Sequence, residues 1–474
     1  MIGRKHNFVE ICFGDWKQPE KKSIIPLSNK IGEIGEIMKK LTLFGLAWPI
    51  FIETALFMLL GFVDVYILSG YNDLAASSVS AANQTVSIIT IVFNILSTAS
   101  AVMISQYLGA GQRQDASQVA ALSIVLQFFF GIAVSAAFFV FNRPILILIG
   151  AEGQVLEFAG QYLSIVGGSI FLQAFIGAVS VIIRNHGLTK ITMFVSLGMN
   201  IFNTAADLLL VPAMGVAGAA VATCASRLLC SVVLAVVLFK KVESPDMFRL
   251  LKPFPFKRLG EMLKIGVPSA LETFLYNLSQ LVITSIVLRC LTENELVAKT
   301  YVQNITMFFY LFAVAIGQAS QILIGHLVGA KEFDEAYRQG KRSHGLALLI
   351  TLICCALGLL FREQLIGVFT DDAAVIAICS QLLLMNVVLE IGRTTNLVVI
   401  ACMRGAGDVF FPTLCAIFSN WVLSVLGSYL LAVVFGMGIY GMWIALAADE
   451  CVRGVLMVLR WRSGKWRTKR IAAA

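Results

Sequence analysis

Residues 41–69 read LTLFGLAWPIFIETALFMLLGFVDVYILS, an apolar run that also contains a proline and two carboxylates. At about 1.5 Å per residue this run exceeds a hydrocarbon core of about 30 Å, so it predicts a tilted or bent membrane-spanning helix. Glu53 and Asp64 are separated by close to three helical turns and therefore share one helical face. Because an acid inside a membrane is costly, this face is expected to point into a bundle interior or a watery cavity.

The rest of the chain repeats this apolar character in long blocks. Its 474 residues are 58% hydrophobic and only 14% charged, which predicts an all-α polytopic membrane protein and excludes a soluble enzyme. We count twelve potential membrane-spanning segments, at residues 41–69, 82–108, 119–141, 157–183, 191–211, 215–239, 262–289, 301–327, 344–361, 374–402, 410–434 and 438–460.

The distribution of basic residues predicts the topology. Most of the 36 lysines and arginines fall in segments on one side of the membrane if the N-terminus is cytoplasmic, so both termini are predicted to be cytoplasmic in a plasma-membrane protein. This bias accounts for the net charge of +8 without a nucleic-acid partner, and it adds some attraction to anionic membrane lipids. The polar residues 1–40 are either a tail with a short interfacial helix or an over-extended start upstream of Met38.

The sequence contains an internal duplication. Four motif pairs recur in the same order at nearly constant offsets, which is the mark of a repeated unit. Six spans in each half predict two six-helix bundles related by a pseudo-twofold axis along the membrane normal, with a cavity between them. The pairs are WPIFIET (48–54) with VPSALET (267–273), QYLGAGQRQDA (106–116) with HLVGAKEFDEA (326–336), RNHGLTKITMFVSLGMN (184–200) with RGAGDVFFPTLCAIFSN (404–420), and MGVAGAA (214–220) with MGIYGMW (437–443).

The repeat divides the chain into five regions. They are an N-terminal cytoplasmic tail (1–40), an N-lobe (41–239), a cytoplasmic linker (240–264), a C-lobe (265–460) and a basic cytoplasmic C-terminal tail (461–474). Pro49 and Pro268 lie inside the first helix of each lobe, where each removes a backbone hydrogen bond and can provide a hinge.

Differences between the halves indicate a specialised site in the N-lobe. Asp64 aligns with Ile283 and Asp207 aligns with Gly427, so neither acid belongs to the shared scaffold. Both acids are expected close to the outer ends of their spans. Asn203 lies one helical turn from Asp207 on the same face. Thr223, early in the sixth span, is expected at about the same depth in the membrane.

Two carboxylates, an amide and a hydroxyl form an oxygen-rich site of the kind a hard cation needs. The same carboxylates could carry a proton, since burial and mutual repulsion favour protonation. Asp64, Asn203 and Asp207 are therefore candidate ligands of a sodium ion or carriers of a proton. The alternative is that Asn203 and Asp207 only cap or cross-link helices.

A second polar group is predicted in the C-lobe. Glu390, Arg393 and Asn396 share one face of the tenth span and form either a structural ion pair or a substrate or coupling site. Glu272 has a counterpart in Glu53, which favours a shared structural or cavity-lining role. The last span adds a predicted internal network of Asp449, Glu450 and Arg453. Inside the spans we count seven acids against three arginines, a surplus of four negative charges that favours a cationic guest.

Other function classes lack their motifs. No GxxxxGK[ST] sequence is present, so an ATP-driven pump is not expected, and no nucleophile, base and oxyanion group indicates an enzyme. The ten cysteines include no CxxC spacing and are expected to act as small buried hydrophobes. No cofactor is implied, and a monomer is expected to suffice.

The ordered motifs resemble those of the multidrug and toxic compound extrusion (MATE) family. The resemblance covers about residues 41–460 and rests on LLGFVDVYILSG, QYLGAG, RNHGLTK, NTAADLLLVP, MGVAGAAVAT and RGAGD. It implies extrusion of amphipathic organic cations by alternating access, in exchange for inward-flowing sodium ions or protons.

The resemblance also assigns residues. The N-lobe cation site of such proteins would fall on Asp64, Asn203, Asp207 and Thr223. Family members with a C-lobe coupling site have an acid deeper in the seventh span than Glu272, which favours Glu390 with Arg393 instead. The C-terminal DECVRGVLMVLRWRSGKW resembles that of bacterial members.

Two alternatives remain. One is a flippase for lipid-linked precursors in the same superfamily, which would need an arginine-lined cavity, whereas only Arg227 and Arg393 are expected well inside spans. The other is a polytopic membrane enzyme.

Overall fold

A computed structural model describes residues 41–148 and 150–472, so the predicted tail of residues 1–40 lies outside the described residues. All twelve predicted segments are helical. Within the described ranges ten helices are long and apolar enough to span a membrane, and a bent pair forms an eleventh candidate. The twelfth segment carries the buried charges of Asp449, Glu450 and Arg453, which lower its apolarity. The chain is thus an all-α polytopic membrane protein.

The first half contains seven helices that make six spans. The helix α1 begins after Thr42, whose side chain accepts a hydrogen bond from the Gly45 amide at 3.1 Å and so caps the helix. The fourth span is the bent pair, with an angle of 45° between its two parts. The helices are α1 (Leu43–Ser69), α2 (Asp73–Gly109), α3 (Arg113–Leu148), α4 (Gly153–Tyr162, followed by a π-turn Leu163–Gly167), α5 (Ile170–Asn185), α6 (Thr189–Met214) and α7 (Val216–Val237).

The second half also provides six spans. The helix α9 starts with a capping box, in which Thr292 and Glu295 satisfy each other's backbone amides. The helices are α8 (Phe256–Cys290), α9 (Glu293–Gly329), α10 (Phe333–Leu360), the short α11 (Arg362–Gly367), α12 (Ala373–Gly405), α13 (Phe410–Ser419, continued by π-turns Asn420–Leu426 and Tyr429–Val434) and α14 (Gly438–Arg462).

The duplication extends to the backbone conformation of the turns. Positive φ angles, which suit glycine because it has no Cβ, recur at equivalent positions of both halves. Lys331 is the only non-glycine residue of the described chain with such an angle, and it stands where the first half has Gly111. The pairs are Gly111 (φ 73°) with Lys331 (66°), Gly187 (80°) with Gly407 (91°), and Gly215 (57°) with Gly438 (58°).

The two halves meet where α2 and α9 end. A Cβ on Gly109 would overlap the backbone of His326, and a Cβ on Gly329 would overlap the backbone of Gln106. The glycines therefore allow the two helices to approach backbone to backbone. The Lys/Arg distribution predicts that this end of the bundle faces the cytoplasm, and we call it the basic end.

Two segments outside the spans, residues 240–264 and the C-terminal tail, form regular structure at the basic end. Residues 240–264, predicted as a linker, include a 3₁₀-helix at Pro245–Leu251 and the first turns of α8. Arg258 attaches this segment to the first half through an ion pair with Asp115 at 2.6 Å. In the C-terminal tail a second 3₁₀-helix, Lys465–Lys469, buries Trp466 completely.

Candidate functional site

The structure brings Asp64, Asn203 and Asp207 together inside the first half. Asn203 and Asp207 lie one turn apart on α6 and are almost fully buried, and the Asn203 amide donates a hydrogen bond to Asp207 Oδ2 at 2.6 Å. The helix α1 packs along α6 and places the Asp64 carboxyl directly against that of Asp207. Two carboxyl groups and an amide therefore share one buried site.

Each of these carboxyl groups has an oxygen without a partner. Asp64 Oδ1 and Asp207 Oδ1 are buried and form no hydrogen bond within the described chain. Two adjacent buried carboxylates repel each other and cannot both stay charged without a compensating cation or proton. The donor set of carboxylate and amide oxygens fits Na⁺, and it fits a shared proton equally well. In the described ranges no group of three or more His, Cys, Asp or Glu side chains could hold a metal ion.

Thr223 lies beside this site rather than in it. Its hydroxyl donates to the Ala219 carbonyl of its own helix at 2.9 Å. Ser226 connects Thr223 to the carboxyl pair, because its hydroxyl contacts the Thr223 carbonyl at 2.9 Å and Asn203 Oδ1 at 3.4 Å. Tyr162, buried at the end of α4, also interacts with Thr223.

Sequence reasoning did not assign Tyr162, Ser226 or Arg227 to this site, although it expected Arg227 inside a span. The Arg227 guanidinium attracts the Asp64 carboxyl electrostatically, and its Nη1 is buried without an acceptor in the described chain. The spacing from Thr223 to Ser226 and Arg227, three and four residues, could have indicated that these side chains share a face. Nothing in the sequence places Tyr162, which ends α4 on the near side of the bend in the fourth span.

The second half encloses a polar cavity of about 510 Å³ between α8, α9, α12, α13 and α14. Its lining combines apolar side chains, such as Met307 and Ile400, with both acids and arginines. Six of the seven polar C-lobe residues named from the sequence line it, and the seventh, Glu390, is fully buried beside Arg393. The charged and amide residues of the wall are Glu272, Arg393, Asn396, Arg404, Asn420, Asp449, Glu450 and Arg453.

An ion-pair network crosses this cavity. Arg393 contacts Glu390 at 2.6 Å and approaches Glu450 at 3.8 Å, while Arg453 contacts Glu450 at 2.9 Å and Asp449 at 3.1 Å. The two groups predicted separately, on α12 and on α14, thus form one network. Its charges are largely paired internally.

Asn396 completes the network and faces the cavity. Its amide nitrogen donates to Glu450 Oε2 at 2.6 Å, and its Oδ1 is buried without a donor in the described chain. Glu390 Oε2 is likewise buried and unpartnered. The Asn396 oxygen, in the cavity wall, is free to accept a hydrogen bond from a guest, and the Glu390 oxygen behind the wall is free to receive a proton.

Glu53 and Glu272 make equivalent contacts in the two halves. Glu272 pairs with Arg404 at 2.8 Å and accepts a hydrogen bond from Thr413 at 3.3 Å. The corresponding contacts of Glu53 are Arg184 at 3.8 Å and Thr192 at 3.0 Å. The shared scaffold therefore includes a Glu–Arg pair, joined in each half by a threonine that differs by one position in the repeat, and Glu272 also has a place in the cavity wall.

The predicted surplus of four negative charges is partly offset by arginines at the ends of the spans. Arg184 and Arg404 stand in the last turns of α5 and α12 and pair with Glu53 and Glu272, two of the seven acids counted in the spans. Of the arginines expected well inside spans, Arg393 lines the cavity of the second half. Arg404 and Arg453 line the cavity as well, although each is paired with an acid.

A family model described as MatE matches the chain twice, at residues 49–209 and 268–430. The chain belongs to the MatE family. Two matches, one in each half, also confirm the duplication read from the motifs. The family consists of transporters, so this multi-pass membrane protein is a MATE family transporter and not an enzyme.

Similar proteins come from bacteria. "Uncharacterized transporter YisQ" of Bacillus subtilis is 39% identical over 440 residues, covering 92% of this chain and 96% of the relative. "Probable multidrug resistance protein NorM" of Thermotoga maritima is 28% identical over 452 residues, covering 93% and 95%.

Solved structures share the fold. A structure of MATE in the bent conformation superposes with a TM-score of 0.83 at 20% identity, covering 92% of this chain and 97% of that one. An outward-facing multidrug resistance MATE family transporter superposes with a TM-score of 0.81 at 20% identity, covering 89% and 96%.

The proposed hinge positions lie within continuous helices of this MatE protein. Pro49 interrupts the hydrogen bonding of α1 one turn before Glu53, and Pro268 does the same in α8 one turn before Glu272. A hinge role for either proline remains a prediction.

Proposed function

We propose that this protein exports amphipathic organic cations in exchange for Na⁺ or H⁺, by alternating access between its two halves. The supporting observation is the buried Asp64–Asp207 pair with its two unpartnered oxygens. A site of this kind binds a cation or proton readily and becomes electrostatically unfavourable when it is empty. Binding therefore favours the packing of α1 against α6 that holds the two carboxyl groups together.

The proposed ion route uses the first half of the molecule. Asp64, Asn203 and Asp207 would hold Na⁺ in a sodium-coupled protein, or the two acids would share a proton. Thr223 would act indirectly, by fixing Asn203 through Ser226. Movement of α1 at Pro49 would then transmit the occupancy of the site to the rest of the bundle.

The proposed substrate route uses the cavity of the second half. Its volume of about 510 Å³ falls within the range of about 300–1,000 Å³ usual for small-molecule sites. Asn396 offers an unpartnered oxygen to a cationic group, Glu390 supplies a negative charge behind the wall, and Arg393 and Glu272 fix the polar wall. The apolar lining suits the hydrophobic part of an amphipathic guest.

The decisive experiment is ethidium efflux from proteoliposomes under separately imposed Na⁺ and H⁺ gradients. The wild type should respond to one of the gradients, and Asp64→Asn should abolish that response while leaving the protein folded. Asp371→Asn is the matched control, because it removes the same charge from an exposed position. Unchanged gradient-driven efflux in Asp64→Asn would rule out the proposed ion site.

A further inference from the structure

A separate small pocket lies at the basic end of the second half. It is formed by α10, α12 and α14, has a volume of about 140 Å³, and is distinct from the polar cavity between the spans. Apolar residues such as Val399 and Val458 make up part of its wall. Its polar and aromatic residues are Tyr337, Lys341, His344, Trp461 and Arg462.

The basic residues of this pocket lack acidic partners. No carboxylate lies within 4 Å of Lys341 or Arg462 among the residues that the structure describes. This contrasts with their neighbours, because Arg338 and Arg342 both pair with Glu335. Two unpaired positive charges around one pocket favour an anionic ligand.

A buried donor adds to the charge argument. Trp461 is only 5% exposed, lines the pocket, and has an indole N–H with no acceptor in the described structure. His344 contributes an imidazole that already contacts Thr395 Oγ1 at 3.1 Å through Nε2. The pocket therefore combines two cationic groups with a free N–H donor, a set that matches the oxygens of a phosphate.

The position of the pocket identifies the source of that phosphate. Tyr337 stacks on Trp461, and Trp461 stacks on Trp466 with a centroid distance of 4.3 Å. Basic pockets between spans on the cytoplasmic side bind anionic headgroups. The apolar walls at Val399 and Val458 would contact the adjoining part of a lipid.

We propose that this pocket binds the phosphate of an anionic phospholipid through Lys341, Arg462 and the Trp461 indole N–H. The bound lipid would link α10 to α14 at the membrane surface. This site is independent of the proposed ion and substrate sites, so it can be tested by binding alone.

The test is native mass spectrometry of the full-length protein in detergent, titrated with phosphatidylglycerol or phosphatidylcholine. The wild type should bind phosphatidylglycerol more tightly than phosphatidylcholine. Lys341→Gln/Arg462→Gln should weaken phosphatidylglycerol binding by roughly tenfold or more, because each basic group near an anionic surface contributes about fivefold in affinity.

The matched control is Arg338→Gln/Arg342→Gln, which removes the same charge from exposed residues of α10 that do not line the pocket. It should bind phosphatidylglycerol nearly as the wild type does. The proposal would be overturned if both double variants bound phosphatidylglycerol as tightly as the wild type does, or if both lost affinity to the same extent. A third arm uses inorganic phosphate: thermal stabilisation by millimolar phosphate that Lys341→Gln/Arg462→Gln abolishes would assign the pocket to free phosphate and overturn the lipid assignment.

Discussion

Gln106 and His326 occupy equivalent positions of α2 and α9, and each contacts a main-chain carbonyl of the opposite half. Gln106 Nε2 donates to Gly405 O at 2.8 Å, and His326 Nε2 lies 2.9 Å from Asn185 O. The two carbonyls are themselves equivalent, so the contact obeys the pseudo-twofold relationship of the repeat. With Gly109 and Gly329 beside it, this arrangement closes the seam between the halves at the basic end.

Adding a methyl group at the seam should open it. In Gly109→Ala or Gly329→Ala the new Cβ overlaps the backbone of the opposite helix, and overpacking of this kind costs about 1–3 kcal/mol. We expect a lower thermal unfolding temperature and slower ethidium efflux. Gly345→Ala is the control, because a Cβ there meets nothing within 4 Å and alanine favours the helix. An effect of Gly345→Ala as large as that of Gly329→Ala would contradict the close approach.

The Glu272–Arg404 pair should behave as a structural pair. Glu272→Gln leaves a partly buried arginine without its counter-charge, so the unfolding temperature should fall. Glu272→Gln/Arg404→Gln should recover part of that loss, since no unpaired charge remains. The measurement is a double-mutant cycle in unfolding temperature, combined with the KM for ethidium. A raised KM without loss of stability would instead indicate that Glu272 contacts the transported substrate.

Arg227 should tune the cation affinity of the Asp64–Asp207 site. Arg227→Gln removes a positive charge that acts on Asp64, so the coupling ion should be held more tightly. We expect the Na⁺ or H⁺ concentration for half-maximal efflux to fall by roughly tenfold, the change that losing a repulsion of about 1.4 kcal/mol produces.

Two variants serve as references for this shift. Arg227→Lys keeps the charge and should retain most of the wild-type ion dependence. Arg143→Gln removes an exposed arginine elsewhere in the first half and should change nothing. If Arg143→Gln shifted the half-maximal ion concentration, or if Arg227→Gln did not shift it, Arg227 would have no specific effect on the site.

The repeat made much of the fold predictable from sequence. Equivalent motifs imply equivalent backbones, and Gly187 and Gly407 do adopt the same positive-φ turn. The twelve helical segments followed from hydropathy, and the proximity of Asp64 to Asp207 followed from their similar depth. The depth of a residue in the membrane and the helical face on which it lies can both be read from the sequence of one span.

Contacts between non-adjacent spans could not be predicted in the same way. Spacing placed Arg393 and Glu450 each on one face of its own helix, but it did not indicate that α12 and α14 turn these faces toward each other. Tyr162 was missed because a 45° bend redirects its span. These contacts depend on how helices rotate and pack, which periodicity along one helix does not determine.

The C-terminal tail should stabilise the closed seam. Trp466 is fully buried and stacks on Trp461, while the Ile471 amide donates to Gln106 Oε1 and Arg470 donates to Gly329 O, both at 2.8 Å. The tail thus contacts both halves where they meet. Trp466→Ala removes the anchor, and loss of a buried tryptophan costs about 3–5 kcal/mol in a core that cannot rearrange.

We therefore expect Trp466→Ala to lower the unfolding temperature and to raise the protease sensitivity of the tail. Its effect should be smaller when Gly329→Ala is already present, because both changes act on the same seam and their free energies are coupled. Thr468→Ala, at an exposed position of the same 3₁₀-helix, provides the reference. Fully additive losses in Trp466→Ala/Gly329→Ala would mean that the tail packs on the second half without supporting the contact between the halves.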